Sequence, residues 1–219
     1  MPFYLTENIE NIGTFAIWKL TENEEDLLQL RPLSEQENNV FSALKNSKRR
    51  KEWLTNRILV EYLAGKDFLI DYLPNGKPLL LKPKWFLSVS HSENFVVVFV
   101  SKNRKIGIDI EKNRENIGLL KHKFLLPEEL QSINDTDNQS LHVFWGAKEA
   151  MYKMYNSYSP LFTEHLTVSR IDYQKGTAIG NIQKGDFNKT INIFFRQVEN
   201  NTLVCCFSRQ KTLINNLFQ

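Results

Sequence analysis

The chain has 219 residues, 42% of them hydrophobic and 24% charged, with a formal net charge of +3. That much apolar mass builds a real core, in one domain or in two of about 110 residues. So slight a basic excess argues against a dedicated nucleic-acid binder. No apolar run approaches the roughly 18 residues of a membrane span, and the opening Met1-Pro2-Phe3-Tyr4 lacks the basic-then-apolar layout of a signal peptide. The cysteines, Cys205 and Cys206, are adjacent. They form no disulfide framework and have no nearby His or Cys to complete a metal site, which predicts a reduced, cytoplasmic protein.

In chain order, residues 12–20 read as a strand, followed by Thr21 as a helix N-cap with Glu24 three positions on. A second helix opens at Ser34 and carries an apolar stripe (Val40, Phe41, Leu44, Trp53, Leu54, Ile58, Leu59, Leu63) until Gly65 stops it. Residues 67–100 form a meander of short strands with a turn at Pro74–Pro78. Its last two strands, Trp85–Ser90 and Phe95–Val100, are joined by His91-Ser92-Glu93-Asn94 as a hairpin. The apolar run to Val100 suits a central strand. Ile106, Ile108 and Ile110 alternate with Gly107, Asp109 and Glu111, the period of a half-buried strand. A helix begins near Phe124, with Pro127 in its first turn. Residues 134–139 are a polar loop, and a strong helix capped by Ser140 runs to about Tyr155. Strands at Leu166–Tyr173, Thr177–Ile182, Lys189–Val198 and Thr202–Ser208 finish the chain.

The pattern of strand, helices and strands therefore occurs twice. The fold class expected is α+β, as two similar halves (1–103 and 104–219), each an antiparallel sheet against helices, with the active site in the cleft between them. On the strand at 106–111 both carboxylates point one way, with a bare glycine ahead of them. This suits a Mg²⁺-bound phosphate ester or a merely solvated strand face, and the strand alone does not decide. The basic run Lys45, Lys48, Arg49, Arg50 and Lys51 is either a solvated face or an anion reader. Arg50 and Arg57, seven apart, share a side of the helix. Glu149 and Lys153 are neighbours at i,i+4, whereas Lys148 interrupts an apolar stripe and must snorkel or find an anion.

Gly107-Ile108-Asp109-Ile110-Glu111, followed some forty residues later by Trp145-Gly146-Ala147-Lys148-Glu149-Ala150-Met151-Tyr152-Lys153, resembles the paired signature of the 4′-phosphopantetheinyl transferases. Gly76-Lys77-Pro78 and Ser88-Val89-Ser90-His91-Ser92 match two further motifs of that family, in the right order. The resemblance covers roughly residues 45–155, and the two-half pattern is similar to the single-chain, pseudodimeric Sfp-type branch. Gly146 stands where the family has Ser, Cys or Thr. Phe124-Leu125-Leu126-Pro127-Glu128-Glu129 replaces its Phe-Phe-Ser-x-x-Glu. The strands after Tyr155 match no motif.

The resemblance implies transfer of the phosphopantetheine arm of coenzyme A to a serine of an apo acyl- or peptidyl-carrier protein, releasing adenosine 3′,5′-bisphosphate. It further implies Mg²⁺, with Mn²⁺ as a substitute, on Asp109, Glu111 and Glu149, and Glu149 and Lys153 as the catalytic pair. Coenzyme A would be bound by Arg50, Lys77, Ser90, His91, Asp109, Lys148 and Lys153. His91 is otherwise an exposed turn histidine, and His122, His142 and His165 match nothing. The implied partners are the carrier protein and coenzyme A, with no nucleic acid or membrane, and the chain is expected to act as a monomer. A Mg²⁺-dependent phosphohydrolase and a non-enzymatic nucleotide- or carrier-binding module are the competing readings.

Overall fold

Apolar-rich strands and two long amphipathic helices leave few ways to bury their faces. In a computed structural model, which describes residues 3–133 and 137–209, they do so as stacked layers. The first part of the chain contributes β1 (Phe3–Ile9), β2 (Gly13–Lys19), α1 (Glu24–Leu30), α2 (Glu35–Ala43) and α3 (Ser47–Ala64). Next come β3 (Leu69–Tyr72), β4 (Pro78–Lys82), β5 (Phe86–Ser92) and β6 (Phe95–Ser101). The second part contributes β7 (Ile106–Lys112), a 3-10 helix (Ile117–Lys123), α4 (Pro127–Ser132), α5 (Asn138–Tyr155) and a short 3-10 turn (Asn156–Tyr158). It ends with β8 (Leu166–Asp172), β9 (Thr177–Lys184), β10 (Phe187–Val198) and β11 (Asn201–Ser208). The fold is α+β, with antiparallel sheets ordered β1-β2-β6-β5 and β7-β11-β10-β9-β8, and β3-β4 as a separate hairpin.

Alternation along the strands sends side chains to opposite faces. Ala16, Trp18, Val96 and Val98 face α3 through Leu54, Leu59 and Val60. Their neighbours Phe15, Ile17, Val97 and Phe99 form a core with Ile106, Ile108, Ile110 and Leu203 of the other sheet. A third core joins Ala147 and Met151 of α5 to Ile193, Phe195 and Val204. The layers are therefore helix, sheet, sheet, helix, with one apolar core shared by both parts of the chain.

The seam between the sheets positions the site. β7 is an edge strand whose outer N–H groups lack a strand partner, and β5 supplies serine hydroxyls instead. Ile108 N–H donates to Ser88 Oγ at 3.0 Å and Ile110 N–H to Ser90 Oγ at 3.3 Å. On its other face β7 carries Gly107, where an added Cβ would land on the Ala150 carbonyl oxygen. The close approach of α5 to the acidic strand therefore requires glycine there.

Several boundaries differ from the sequence expectations. The first helix is capped by Asn23, in a reciprocal box with Asp26, and not by Thr21. The stripe read as one helix from Ser34 to Gly65 is two helices. Asn46 starts the second by accepting the Arg49 N–H at 3.0 Å, and an apolar period cannot register such a change of axis. The hairpin turn is only Glu93-Asn94, with Glu93 at φ 46°, so His91 and Ser92 belong to β5. The helix expected from Phe124 begins at Pro127, where Glu129 accepts the Leu126 N–H at 2.9 Å. The start of α5 lies at Asn138, with Asp137 Oδ1 accepting the Ser140 N–H at 3.0 Å. Of the polar loop expected at 134–139, residues 134–136 lie outside the described residues. β1 was not anticipated.

Candidate active site

A cleft of about 350 Å³ opens where α3 and α5 face each other across the β5–β7 seam. Its lining includes Ser90 and His91 from β5, Asp109 and Glu111 from β7, and Glu149 and Lys153 from α5. Residues separated by as many as 63 positions in sequence thus share one space large enough for a small-molecule ligand.

At its floor Lys153 Nζ donates to Asp109 Oδ1 at 2.7 Å, to Ser90 Oγ at 2.8 Å and to the Ile108 carbonyl at 3.1 Å. Ser90 Oγ in turn donates to Asp109 Oδ1 at 3.0 Å. Asp109 is buried, and its Oδ2 has no hydrogen-bond partner. Burial and the neighbouring Asp109 carboxylate push the Glu149 carboxyl up to about 7, against the opposing pull of Lys153. Glu111 is raised for the same two reasons, although Arg114 Nη2 donates to its Oε1 at 2.7 Å. One lysine therefore faces three carboxylates, and the charge of Asp109 raises the proton affinity of the other two.

This arrangement fits a divalent cation. Its donors are hard oxygens, one buried carboxylate oxygen is unsatisfied, and the negative charge is only partly offset. Among the described residues no three Asp, Glu, His or Cys side chains are yet close enough to chelate an ion. The Lys153 ammonium already occupies the Asp109 carboxylate. A bound cation would share or take over that position.

The opposite wall carries α3. Arg49, Glu52, Trp53 and Asn56 line the cleft at the i, i+3, i+4, i+7 spacing of one helical face. Arg49 Nη1 donates to His91 Nε2 at 2.8 Å, and His91 Nδ1 lies 3.4 Å from Glu52 Oε1. Burial lowers the affinity of His91 for a proton, while Glu52 opposes that shift.

Three of the expected coenzyme A residues lie elsewhere. Arg50 Nε donates to Glu24 Oε2 at 2.7 Å, and its guanidinium covers the Phe41 ring. Arg57, expected to share an anion with it, lies on Trp53 and pairs with Glu37 at 3.5 Å. These residues sit about 100° around the helix from Arg49 and Asn56, because a one-residue step turns the face that far. Lys77 points away from the cleft and donates to the Met154 carbonyl at 3.1 Å, capping the C-terminal end of α5. Burial, with Lys105 nearby, brings its amine down to about 8. Lys148 is wholly buried and donates to Glu129 Oε2 at 2.5 Å and to the Phe124 and Phe162 carbonyls at 2.6 and 3.0 Å. Glu129 also accepts the Val168 N–H at 2.8 Å. The anion that Lys148 required is an internal carboxylate, and the pair ties α4, α5 and β8 together.

A larger cavity, about 1170 Å³, lies between α4, the start of α5 and β8–β9, lined by residues such as Phe144, Thr167 and Tyr173. It contains none of the site residues expected from sequence.

The family model described as the 4′-phosphopantetheinyl transferase superfamily matches residues 105–206. The matched segment, which runs from the start of β7 into β11, is similar to this superfamily. The 4′-phosphopantetheinyl transferase HetI of Nostoc sp. (strain PCC 7120) is 36% identical over 93 residues, covering 38% of this chain and 39% of the relative. A putative 4′-phosphopantetheinyl transferase of Synechocystis sp. is 26% identical over 121 residues, covering 48% of this chain and 49% of the relative. The matched stretch spans less than half the length of either relative.

Proposed function

We propose that the protein transfers the 4′-phosphopantetheine arm of coenzyme A to a serine of an apo acyl- or peptidyl-carrier protein, releasing adenosine 3′,5′-bisphosphate in a Mg²⁺-dependent reaction. The observation that carries this reading is the meeting of Ser90, His91, Asp109, Glu111, Glu149 and Lys153 in one cleft, within a chain whose second part matches the superfamily.

In the reaction a serine oxygen forms a bond to the diphosphate phosphorus next to the pantetheine arm. The bond from that phosphorus to the bridging oxygen breaks, and the nucleotide leaves. Glu149, which lines the cleft beside Asp109 and Lys153, is the base that takes the serine proton. Lys153 lies one helical turn further along α5, held toward the same point by Asp109 and Ser90, where its charge meets the leaving phosphate oxygen. A divalent cation on Asp109, Glu111 and Glu149 would neutralise the diphosphate charge. Arg49 and His91, at the other end of the cleft, suit the separate 3′-phosphate of the nucleotide. With this reading Arg49 takes the role first assigned to Arg50. A phosphohydrolase acting on a simple ester has no use for that second anion reader.

The test is incubation of the protein with several apo carrier proteins, coenzyme A and Mg²⁺, followed by intact-mass spectrometry. The reading requires one carrier to gain one phosphopantetheinyl group, and to fail to gain it when Mg²⁺ is chelated. No gain on any carrier would reject it.

A further inference from the structure

Glu52 has an unexpected place in a cleft that is meant to bind phosphates. It is 6% exposed, and a carboxylate so near an anion reader would repel the ligand if it stood alone. It does not stand alone. Its oxygens lie 3.5 Å from Arg49 Nη1, 3.4 Å from His91 Nδ1 and 4.0 Å from Lys48 Nζ. The carboxylate is surrounded by groups that remain cationic or polar toward the opening, so the cluster as a whole stays positive.

The hydrogen-bond directions are constrained. A guanidinium only donates, so His91 Nε2 must accept from Arg49 and the ring proton must sit on Nδ1. Nδ1 lies at ion-pair distance, 3.4 Å, from Glu52 Oε1. Arg49, His91 and Glu52 form one cluster that runs from an exposed cation to a buried anion. Glu52 is fixed in turn by α3, which presents the adjacent Trp53 and, one turn on, Asn56 to the same cleft, with Asn56 Oδ1 buried and unpartnered.

We infer that Glu52 is a positioning residue for the 3′-phosphate reader. It holds the Arg49 guanidinium and the His91 ring in the orientation that accepts a terminal phosphate, without touching the ligand itself. The inference rests on the proposed coenzyme A-dependent function. Neither the sequence motifs nor the acidic half of the cleft includes this residue.

The experiment compares equilibrium binding of adenosine 3′,5′-bisphosphate and adenosine 5′-monophosphate by calorimetry, for the unaltered protein and for Glu52→Leu and Glu52→Gln. Loss of the positioning carboxylate should weaken the bisphosphate about ten-fold in Glu52→Leu and by a smaller factor in Glu52→Gln, while the monophosphate changes less than about two-fold. Glu52→Gln preserves the side-chain shape and keeps the test available if Glu52→Leu does not fold. Equal weakening of both nucleotides would mean that Glu52 supports only the structure of α3, and an unchanged preference in both variants would also overturn the inference. If the unaltered protein shows no preference for the bisphosphate, the functional reading itself fails and the inference falls with it.

Discussion

The two walls of the cleft are built on helices of equal length, since α3 and α5 are both 18 residues, yet they handle charge in opposite ways. On the α3 wall Arg49, His91 and Glu52 form one cluster, and each finds a partner. On the α5 wall Asp109, Glu111 and Glu149 are crowded together, Asp109 Oδ2 is unsatisfied and Glu149 is pushed up to about 7. Paired charge recognises a ligand without needing anything else, whereas crowded like charge is stable only with a cation or a proton. Under the proposed function, the contrast would give recognition to the first wall and chemistry to the second.

Mutations can break or sharpen that division, and the largest effect belongs to the acidic wall. Glu149→Gln should lower kcat about 10²–10⁴-fold, with circular dichroism unchanged. A variant with near-native turnover would remove the base from that wall. Next comes the buried pair behind it. Lys148→Met removes the ammonium from the buried Glu129 carboxylate and should reduce unfolding free energy by about 3–5 kcal/mol in urea titrations. The folded remainder should keep its KM for coenzyme A. A raised KM with unchanged stability would return Lys148 to the cleft.

On the recognition wall, Arg49→Ala should raise the KM for coenzyme A about ten-fold while Arg50→Ala changes it less than about two-fold. The reverse order would place the anion reader on the other helical face. The smallest effect concerns His142, which is buried and accepts the Arg114 N–H at 2.7 Å. Burial depresses its affinity for a proton in the folded state. A depressed histidine contributes stability that is present above its unfolded value of about 6.5 and is lost as pH falls below it. The melting temperature should therefore drop less steeply between pH 7 and pH 5 in His142→Gln than in the unaltered protein. Parallel curves would contradict this.

How much of this was legible in the sequence depended on the kind of signal. Strand β7 was readable because a period of two leaves no ambiguity about which side chains share a face. The sheet carrying β8 to β11 was readable for the same reason. The α3 face was not. Seven-residue spacing correctly pairs positions on one side of a helix, but it does not say which side meets the cleft, so Arg50 was chosen where Arg49 lines the cleft. The cleft-lining set Arg49, Glu52, Trp53 and Asn56 was available as an alternative register of the same pattern. Lys148 and Lys77 show a different limit. A motif aligns positions, while the direction of a long side chain depends on acceptors from distant segments, here Glu129 and the Met154 carbonyl. β1 was missed because polar residues interrupt its alternation, and its half-buried pattern becomes meaningful only when β2 is beside it.

The most direct test of the division of labour is a crystal structure of the protein with coenzyme A and a divalent cation. The account predicts the cation on Asp109 and Glu149 beside the diphosphate, with the 3′-phosphate against Arg49 and His91. Coenzyme A bound in the larger cavity between α4 and β8–β9, or with its 3′-phosphate on Lys77 or Arg50, would contradict it.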